Sequence, residues 1–347
     1  MSLDRAAVVI PARDPGGALA RLLVSLAAAN DSGRLAEIVV VDDGSVEDLS
    51  AVCAAHGARH LRRDRSAGPA AARNAGAAAT SAPILLFFDA DVLCPAGLPE
   101  AVFATFAARP EALAVSFRSR GFDPECSVVA NFGAALEQFW LGLYLAAGGG
   151  PAFVEGVTSR SFAVRRDAFD ALRGFDEAFR TNAIEDLDFG LRLAAGGPLL
   201  LAAEPQVDHR YPAGLSRLLR NYAVRAFVFG RWYAARRPKL PRVHVSPGEG
   251  LLRILGTAAL VALAAGALGS APLAVGGAIL AAVYFAAIGP FLRHAARLGS
   301  WRFALLAALL HLGSSPVIVS AAFSGLASGV LAPRRGDTVP RLAGAPR

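Results

Sequence analysis

Ile84-Leu85-Leu86-Phe87-Phe88-Asp89-Ala90-Asp91 sets five large apolar residues directly against two carboxylates. A short apolar run without polar alternation suits a strand covered on both faces. The same order recurs upstream. Ala6-Ala7-Val8-Val9-Ile10 stops at Pro11-Ala12-Arg13, and the β-branched run from Glu37 to Val41 stops at Asp42-Asp43-Gly44-Ser45. Between these runs Leu19, Leu22, Leu23 and Leu26 repeat at helical spacing over 16–29, a third strand is expected near 58–62, and a second helix over about 69–80. Strands alternating with helices predict an α/β domain with a mainly parallel sheet and helices on both faces. Ligands of such sheets bind beyond the carboxyl ends of the strands. One acidic strand end is accounted for by helix capping; two, each behind an apolar strand, point to a shared site.

The chain has 347 residues, 54% of them hydrophobic, and the apolar excess is concentrated late. Charges are scattered up to about residue 225, whereas three nearly uncharged blocks occupy about 251–268, 272–292 and 303–332. The first two approach the length needed to cross the ~30 Å hydrocarbon core of a bilayer. Gly269-Ser270 makes them a tight hairpin. The third block exceeds one span, falls short of two, and is interrupted by Gly313-Ser314-Ser315-Pro316, which leaves a long tilted helix and a broken, re-entrant pair both open. The expected division is an α/β domain over 1–225, a basic juxtamembrane linker over 226–250, a transmembrane region over 251–333 and a basic tail over 334–347. Phe132 to Ala147 reads as a helix packed in a core or at an interface.

The net charge of +7 raises nucleic acid as a partner. Its placement argues against that: Arg225, Arg231, Arg236, Arg237, Lys239, Arg242, Arg253, Arg293, Arg297, Arg334 and Arg335 flank the apolar blocks, as expected for membrane orientation and attraction to anionic lipid. The N-terminus enters a strand without a leader pattern, so the first domain is expected to face the cytoplasm at the inner membrane. Cys53, Cys94 and Cys126 show neither metal-ligand spacing nor pairing and are expected reduced.

Within the expected site, Asp89 and Asp91 are spaced to reach one divalent cation and a ribose; a capped turn explains the same triplet. Asp42 and Asp43 can hydrogen-bond a base and ribose, or close a turn. Arg73, in a stretch of small residues from Gly68 to Gly76, can pair with phosphate or with a carboxylate. Glu185-Asp186-Leu187-Asp188 puts acids in the first turn of a helix, where its dipole favours them and where one can act as a general base. His209 reads as a metal ligand or a core histidine.

Taken in order, Val8-Val9-Ile10-Pro11, Val40-Val41-Asp42-Asp43-Gly44-Ser45, Gly68 with Ala72-Arg73-Asn74-Ala75-Gly76, Phe87-Phe88-Asp89-Ala90-Asp91, Phe162 to Phe169 with Gly174-Phe175-Asp176-Glu177, and Glu185-Asp186-Leu187-Asp188 resemble the inverting family 2 glycosyltransferases of the GT-A fold. The resemblance covers about 7–210. It implies a nucleotide diphosphate sugar donor and a magnesium or manganese ion. Pro11, Ala12, Arg13, Asp42, Asp43 and Arg73 would lie around the nucleotide, with Asp89 at the donor and Asp89, Asp91 and His209 at the metal. Asp186 would be the catalytic base with Glu185 as its partner, and Gly156 would sit in a loop near the donor sugar. Two departures matter. Processive members carry Gln-x-x-Arg-Trp, whereas Val228 stands first before Arg231-Trp232, which favours transfer of one sugar at a time. Pro11-Ala12-Arg13-Asp14 replaces the common Pro-x-x-Asn. The apolar blocks imply a lipid-linked or membrane-associated acceptor, with a polyprenyl-phosphate acceptor or a non-catalytic scaffold as alternatives. A dinucleotide-dependent oxidoreductase is excluded by the lack of Gly-x-Gly-x-x-Gly after the first strand.

Overall fold

The computed structural model describes residues 3–145, 151–236 and 247–331; the expected tail over 334–347 and the linker residues 237–246 lie outside them. The chain forms two compact units, one running through Arg120 and from Leu143 to Arg210, the other comprising Gly121–Gly142 and Tyr211 onward.

The first unit begins β1 (Ala6–Ala12), α1 (Gly17–Ala29), β2 (Leu35–Asp42), α2 (Ser50–Ala55), β3 (Arg59–Arg62), α3 (Pro69–Ala78), β4 (Ile84–Phe88), β5 (Val92–Leu93), α4 (Leu98–Ala108) and β6 (Ala114–Ser119). The chain then contributes α5 (Val128–Gly142) to the second unit and returns as β7 (Ala152–Val154), β8 (Ser161–Arg165), α6 (Arg166–Ala171), α7 (Glu185–Ala194) and β9 (Leu199–His209). The strands make one sheet in the order β3-β2-β1-β4-β8-β6-β9-β5, with β7 paired to β9.

The four N-terminal strands are parallel, as expected. All five residues of β4 are buried. The rest of the sheet corrects the mainly parallel expectation: β8 runs antiparallel to both β4 and β6, and β5 and β7 run antiparallel to β9. The sheet is therefore mixed. The alternation that predicts parallel strands ends with β4; beyond it β8 follows no crossover helix of the regular kind. On one face Gly76 of α3 lies against β1 and β2, where a Cβ would come within 2.3 Å of Val9. On the chain between α6 and α7, Phe175 stacks on Phe189 at 4.5 Å, and Phe87, Phe162 and Phe169 close round them, fixing α7 to the sheet.

The second unit continues with α8 (Leu215–Arg236), α9 (Pro247–Ala267), α10 (Ala271–Ala287), α11 (Gly289–Leu298) and α12 (Trp301–Leu331). The expected division at 225/226 falls inside α8. Of the stretch expected from Phe132 to Ala147, the part up to Gly142 lies in α5 and residues 146–147 lie outside the described ones; the helix packs in a core, with Phe139 5.7 Å from Phe291 of α11 and Phe132 and Leu136 in one cluster with Phe303 and Ala307 of α12.

The apolar hairpin is present, with a turn at Gly269 (φ 110°) and close helix contact at Gly266 against Ala274 and at Gly277 against Leu263. Its second arm is shorter than the 272–292 block, because α11 turns away from α10 by 53°. The third block is one unbroken helix. Pro316 lies inside it and has no N–H to donate to the Leu312 carbonyl; one residue earlier, Ser314, Ser315 and the Arg253 guanidinium all donate to the His311 carbonyl. By length and composition α9 and α12 can cross a membrane, and α10 with α11 forms a bent third candidate.

Arg253 is also not the exposed flanking charge expected of it. It is 3% exposed and bonds Glu249, the His311 carbonyl and Ser314. Along α12, Gly325 and Gly329 form a small-residue seam onto α8, where a Cβ on Gly325 would meet the Phe227 carbonyl oxygen at 2.0 Å.

Candidate active site

The carboxyl ends of β1, β2 and β4 carry the expected polar residues, and the structure uses them unequally. Asp42, at the end of β2, is fully buried. Its carboxylate accepts from the Ser45 amide at 2.7 Å and from Arg62 at 2.8 Å, with His60 Nε2 3.4 Å away. Burial alone would raise its pKa; the Ser45 hydrogen bonds, His60 and Arg62 more than offset that and hold it below the usual carboxylate value.

Asp43 accepts from the Ser66 hydroxyl at 2.7 Å and from the Ala67 and Gly68 amides, and its own amide donates to the Ala12 carbonyl. It thereby ties the β1 and β2 ends to the N-terminus of α3. Gly68 has φ 96°, and a Cβ there would lie 2.6 Å from the Arg180 carbonyl oxygen, so the turn into α3 admits no side chain. Pro11 is half-buried and Ala12 buried, while Arg13 is exposed and donates to Ser66. Asp42 and Asp43 therefore shape the strand-end loops from within.

The centre of the site is Arg73. On α3 it is 0% exposed. Nη2 donates to Asp89 Oδ1 at 2.6 Å and Nη1 to Glu185 Oε1 at 3.0 Å. The Phe175 ring lies 5.5 Å from the guanidinium carbon. Burial alone would weaken the hold of Arg73 on its proton, but the two carboxylates reverse this and its pKa lies above the ordinary value. Glu185 is also fully buried, and its second oxygen accepts the Ala183 amide at 2.9 Å. Burial pushes its pKa up, the adjacent Asp186 charge adds to that, and Arg73 opposes both. One guanidinium thus joins the acidic pair after β4 to the first turn of α7.

Asp186, next along α7, is half-buried, and its Oδ2 accepts from the Ser159 amide at 3.2 Å and hydroxyl at 3.1 Å. Gly156 is buried against the same helix: a Cβ on Gly190 would come 2.7 Å from the Gly156 Cα. Asp89 has a side chain 19% exposed and is anchored by its amide to the Arg160 carbonyl.

Val92 pairs with His209 across β5 and β9, which brings His209 Nε2 to 3.8 Å from Asp91 Oδ2. Among the described residues no group of three or more His, Cys, Asp or Glu side chains converges in metal-ligand fashion. Asp91 and His209 still offer an oxygen and a nitrogen facing one point, with the Asp91 side chain 54% exposed. Such a pair fits a Mg²⁺ or Mn²⁺ ion that takes its other ligands from phosphate and water.

Sequence reasoning missed Ser159, which steadies Asp186, and Gly190, which lets the 156–157 turn reach α7. For Ser159 the only signal was its place in a run of small residues, 156–159; Gly190, between Phe189 and Leu191, had none. Of the two partners expected for Arg73, a phosphate or a carboxylate, the structure shows carboxylates, Asp89 and Glu185. Cys53 and Cys94 are free, and burial pushes their thiols up to about 11 and about 12, which leaves both inert at neutral pH.

With this geometry in hand, residues 7–170 match the family described as Glycosyl transferase family 2. The pre-mycofactocin glycosyltransferase of Mycobacterium tuberculosis is 32% identical over 232 residues, covering 64% of this chain and 45% of that relative. The chain thus spans about half the length of the curated relatives it matches. Among solved structures, mannosyltransferase PcManGT from Pyrobaculum calidifontis, in complex with GDP-Man and Mn²⁺, superposes with TM-score 0.61 at 19% identity, over 91% of this chain and 87% of that one. GalNAc-T7 with UDP, GalNAc and Mn²⁺ superposes with TM-score 0.51 at 19% identity, over 71% and 53%. These superpositions place the first unit in the GT-A fold.

Proposed function

Because residues 7–170 place this chain among the family 2 glycosyltransferases, we propose that it moves one sugar at a time from a nucleotide diphosphate donor to a hydroxyl of a lipid-linked or membrane-associated acceptor. The observation that carries this reading is the Arg73 tie. It links Asp89 to Glu185 and so sets the carboxylates after β4 beside the first turn of α7, which bears Asp186.

In this reading Asp186 takes the proton from the acceptor hydroxyl as that oxygen attacks the anomeric carbon opposite the leaving diphosphate. Ser159 holds Oδ2 with two hydrogen bonds and leaves the carboxylate oriented in a half-buried setting. Asp91 and His209, with Asp89 close by, would hold a divalent cation. When bound, such an ion neutralises charge on the departing diphosphate. PcManGT and GalNAc-T7, both solved with a nucleotide and Mn²⁺, support the donor class and the metal. Gly156 lines the donor-sugar side, Arg13 remains exposed beside the nucleotide end, and Pro11, Ala12, Asp42 and Asp43 support the nucleotide loops.

The apolar helices α9, α10 and α12 support an inner-membrane protein, and the basic residues flanking the apolar blocks, Arg293 and Arg297 among them, support a cytoplasmic catalytic domain by their charge. Val228 in place of the glutamine of processive members supports single transfer.

The test is thermal unfolding of detergent-purified protein against UDP-, GDP- and dTDP-sugars, with and without Mn²⁺. A ligand that binds the native state raises the melting temperature by mass action. A metal-dependent rise with one nucleotide is the expected outcome; no rise with any of them sinks the proposal.

A further inference from the structure

We propose that Arg73 and Glu185 are positioning residues: together they form a buried strut that fixes the Asp89 carboxylate relative to the first turn of α7, and neither touches the donor. This rests on the glycosyltransferase reading above and reassigns two residues within it.

Three observations carry the strut. Both side chains are 0% exposed, whereas Asp89 and Asp186 reach the surface. The guanidinium donates in two directions, Nη1 to Glu185 and Nη2 to Asp89, and its central carbon lies 5.5 Å from the Phe175 ring centroid. A phosphate taking Nη1 would displace Glu185, whose side chain is fully buried, and leave that charge without its partner.

The surroundings are pinned as well. Asn74, next on α3, donates to the Phe175 carbonyl and to Glu177 and accepts the Phe175 amide, while Gly68 at the start of α3 abuts the Arg180 backbone. The segment 174–185 is therefore laid along α3 by four independent contacts, and it ends at the residue before Asp186. The strut joins α3 to the first turn of α7 across the 112 positions that separate Arg73 from Glu185. A lysine cannot replace the fork, because one ammonium is a point charge and cannot span two carboxylates that approach from different elements.

The experiment uses the full chain in detergent, with Glu185→Gln, Arg73→Gln and Arg73→Lys compared for sugar-nucleotide turnover, Mn²⁺ half-saturation, and binding of UDP and GDP without metal. Glu185→Gln keeps the shape and removes the charge. It is expected to lower kcat by about tenfold or more, since small misplacement of reacting groups is costly, with donor KM and Mn²⁺ half-saturation within about twofold of wild type. Arg73→Gln is expected to lower kcat and also to raise the Mn²⁺ half-saturation, with metal-free nucleotide binding unchanged. Arg73→Lys should recover metal affinity or kcat but not both.

The strut is overturned if Arg73→Gln weakens metal-free UDP or GDP binding while kcat holds, which would make Arg73 a nucleotide ligand. It is equally overturned if Glu185→Gln turns over at the wild-type rate; that variant keeps the test open even where Arg73→Gln fails to fold. A wild-type chain that turns over no sugar nucleotide would instead sink the proposed function, so the two failures are separable.

Discussion

Each unit of this protein buries one arginine among acceptors, and the two arginines do different things. In the first unit Arg73 joins a fully buried Glu185 to Asp89, whose side chain is 19% exposed and opens onto the strand ends. In the second, Arg253 of α9 bonds Glu249 on its own helix together with the His311 carbonyl and the Ser314 hydroxyl of α12. Tyr284 of α10 hydrogen-bonds His311, whose other ring nitrogen lies 3.1 Å from Glu249, so three helices meet in one polar knot. The Arg73 cluster is flanked in sequence by the half-buried Asp186 and the exposed Asp91, whereas the Arg253 cluster ties apolar helices to one another. A buried charge network marks a catalytic site only where part of it is left facing out.

The sharpest way to break the parallel is Asp186→Asn. It removes the proposed base without touching either arginine, and a general base contributes about 10²–10⁴-fold; kcat should fall by that order while the melting temperature stays put. A variant that turns over normally refutes the base.

Arg253→Met should act in the opposite sense. Removing one partner of a buried ion pair costs about 3–5 kcal/mol. Unfolding in detergent should therefore occur at markedly lower temperature, with KM for the donor unchanged in the protein that remains folded. Loss of donor affinity without loss of stability would place Arg253 in the site instead of the helix knot.

Gly325→Val tests the seam that accompanies the knot. The new side chain meets the Phe227 carbonyl, and overpacking of this kind costs about 1–3 kcal/mol, read as a lower melting temperature. An unchanged melting temperature would show that α8 and α12 do not need their close approach.

The smallest effect is expected from Ser159→Ala, which deletes one of two hydrogen bonds to Asp186 Oδ2 and is worth about 1 kcal/mol. That corresponds to a severalfold fall in kcat; a fall as large as that of Asp186→Asn would show that Ser159 itself touches substrate.

How much of this was legible beforehand follows physical range. The strand at 84–88 and its flanking acids, the helix at 69–78 and the first three parallel pairings were readable because apolar runs, helical spacing and strand-end carboxylates are local patterns. The antiparallel entry of β8 was not, because a run of buried residues, here 161–164, does not state its direction. The third apolar block stayed open between a long tilted helix and a broken pair, because Pro316 and its serines read locally as a break, while the packing that holds one continuous α12 includes Arg253, 58 residues from His311 in sequence. Arg73 is the clearest case: its neighbours are alanines, and nothing nearby distinguishes a solvated helix arginine from one whose two acceptors lie 16 and 112 residues away.

By itself, the amino-acid sequence determined that the chain is bipartite, that its first part is an α/β domain with acids collected at the strand ends, and that its last part is apolar enough to meet lipid. These follow from composition and periodicity, which act over a few turns of chain. Only the tertiary structure decided which charges face solvent and which are spent on one another, because burial and pairing are set by elements brought together from distant positions, and a carboxylate becomes a candidate base or a strut according to what is packed around it.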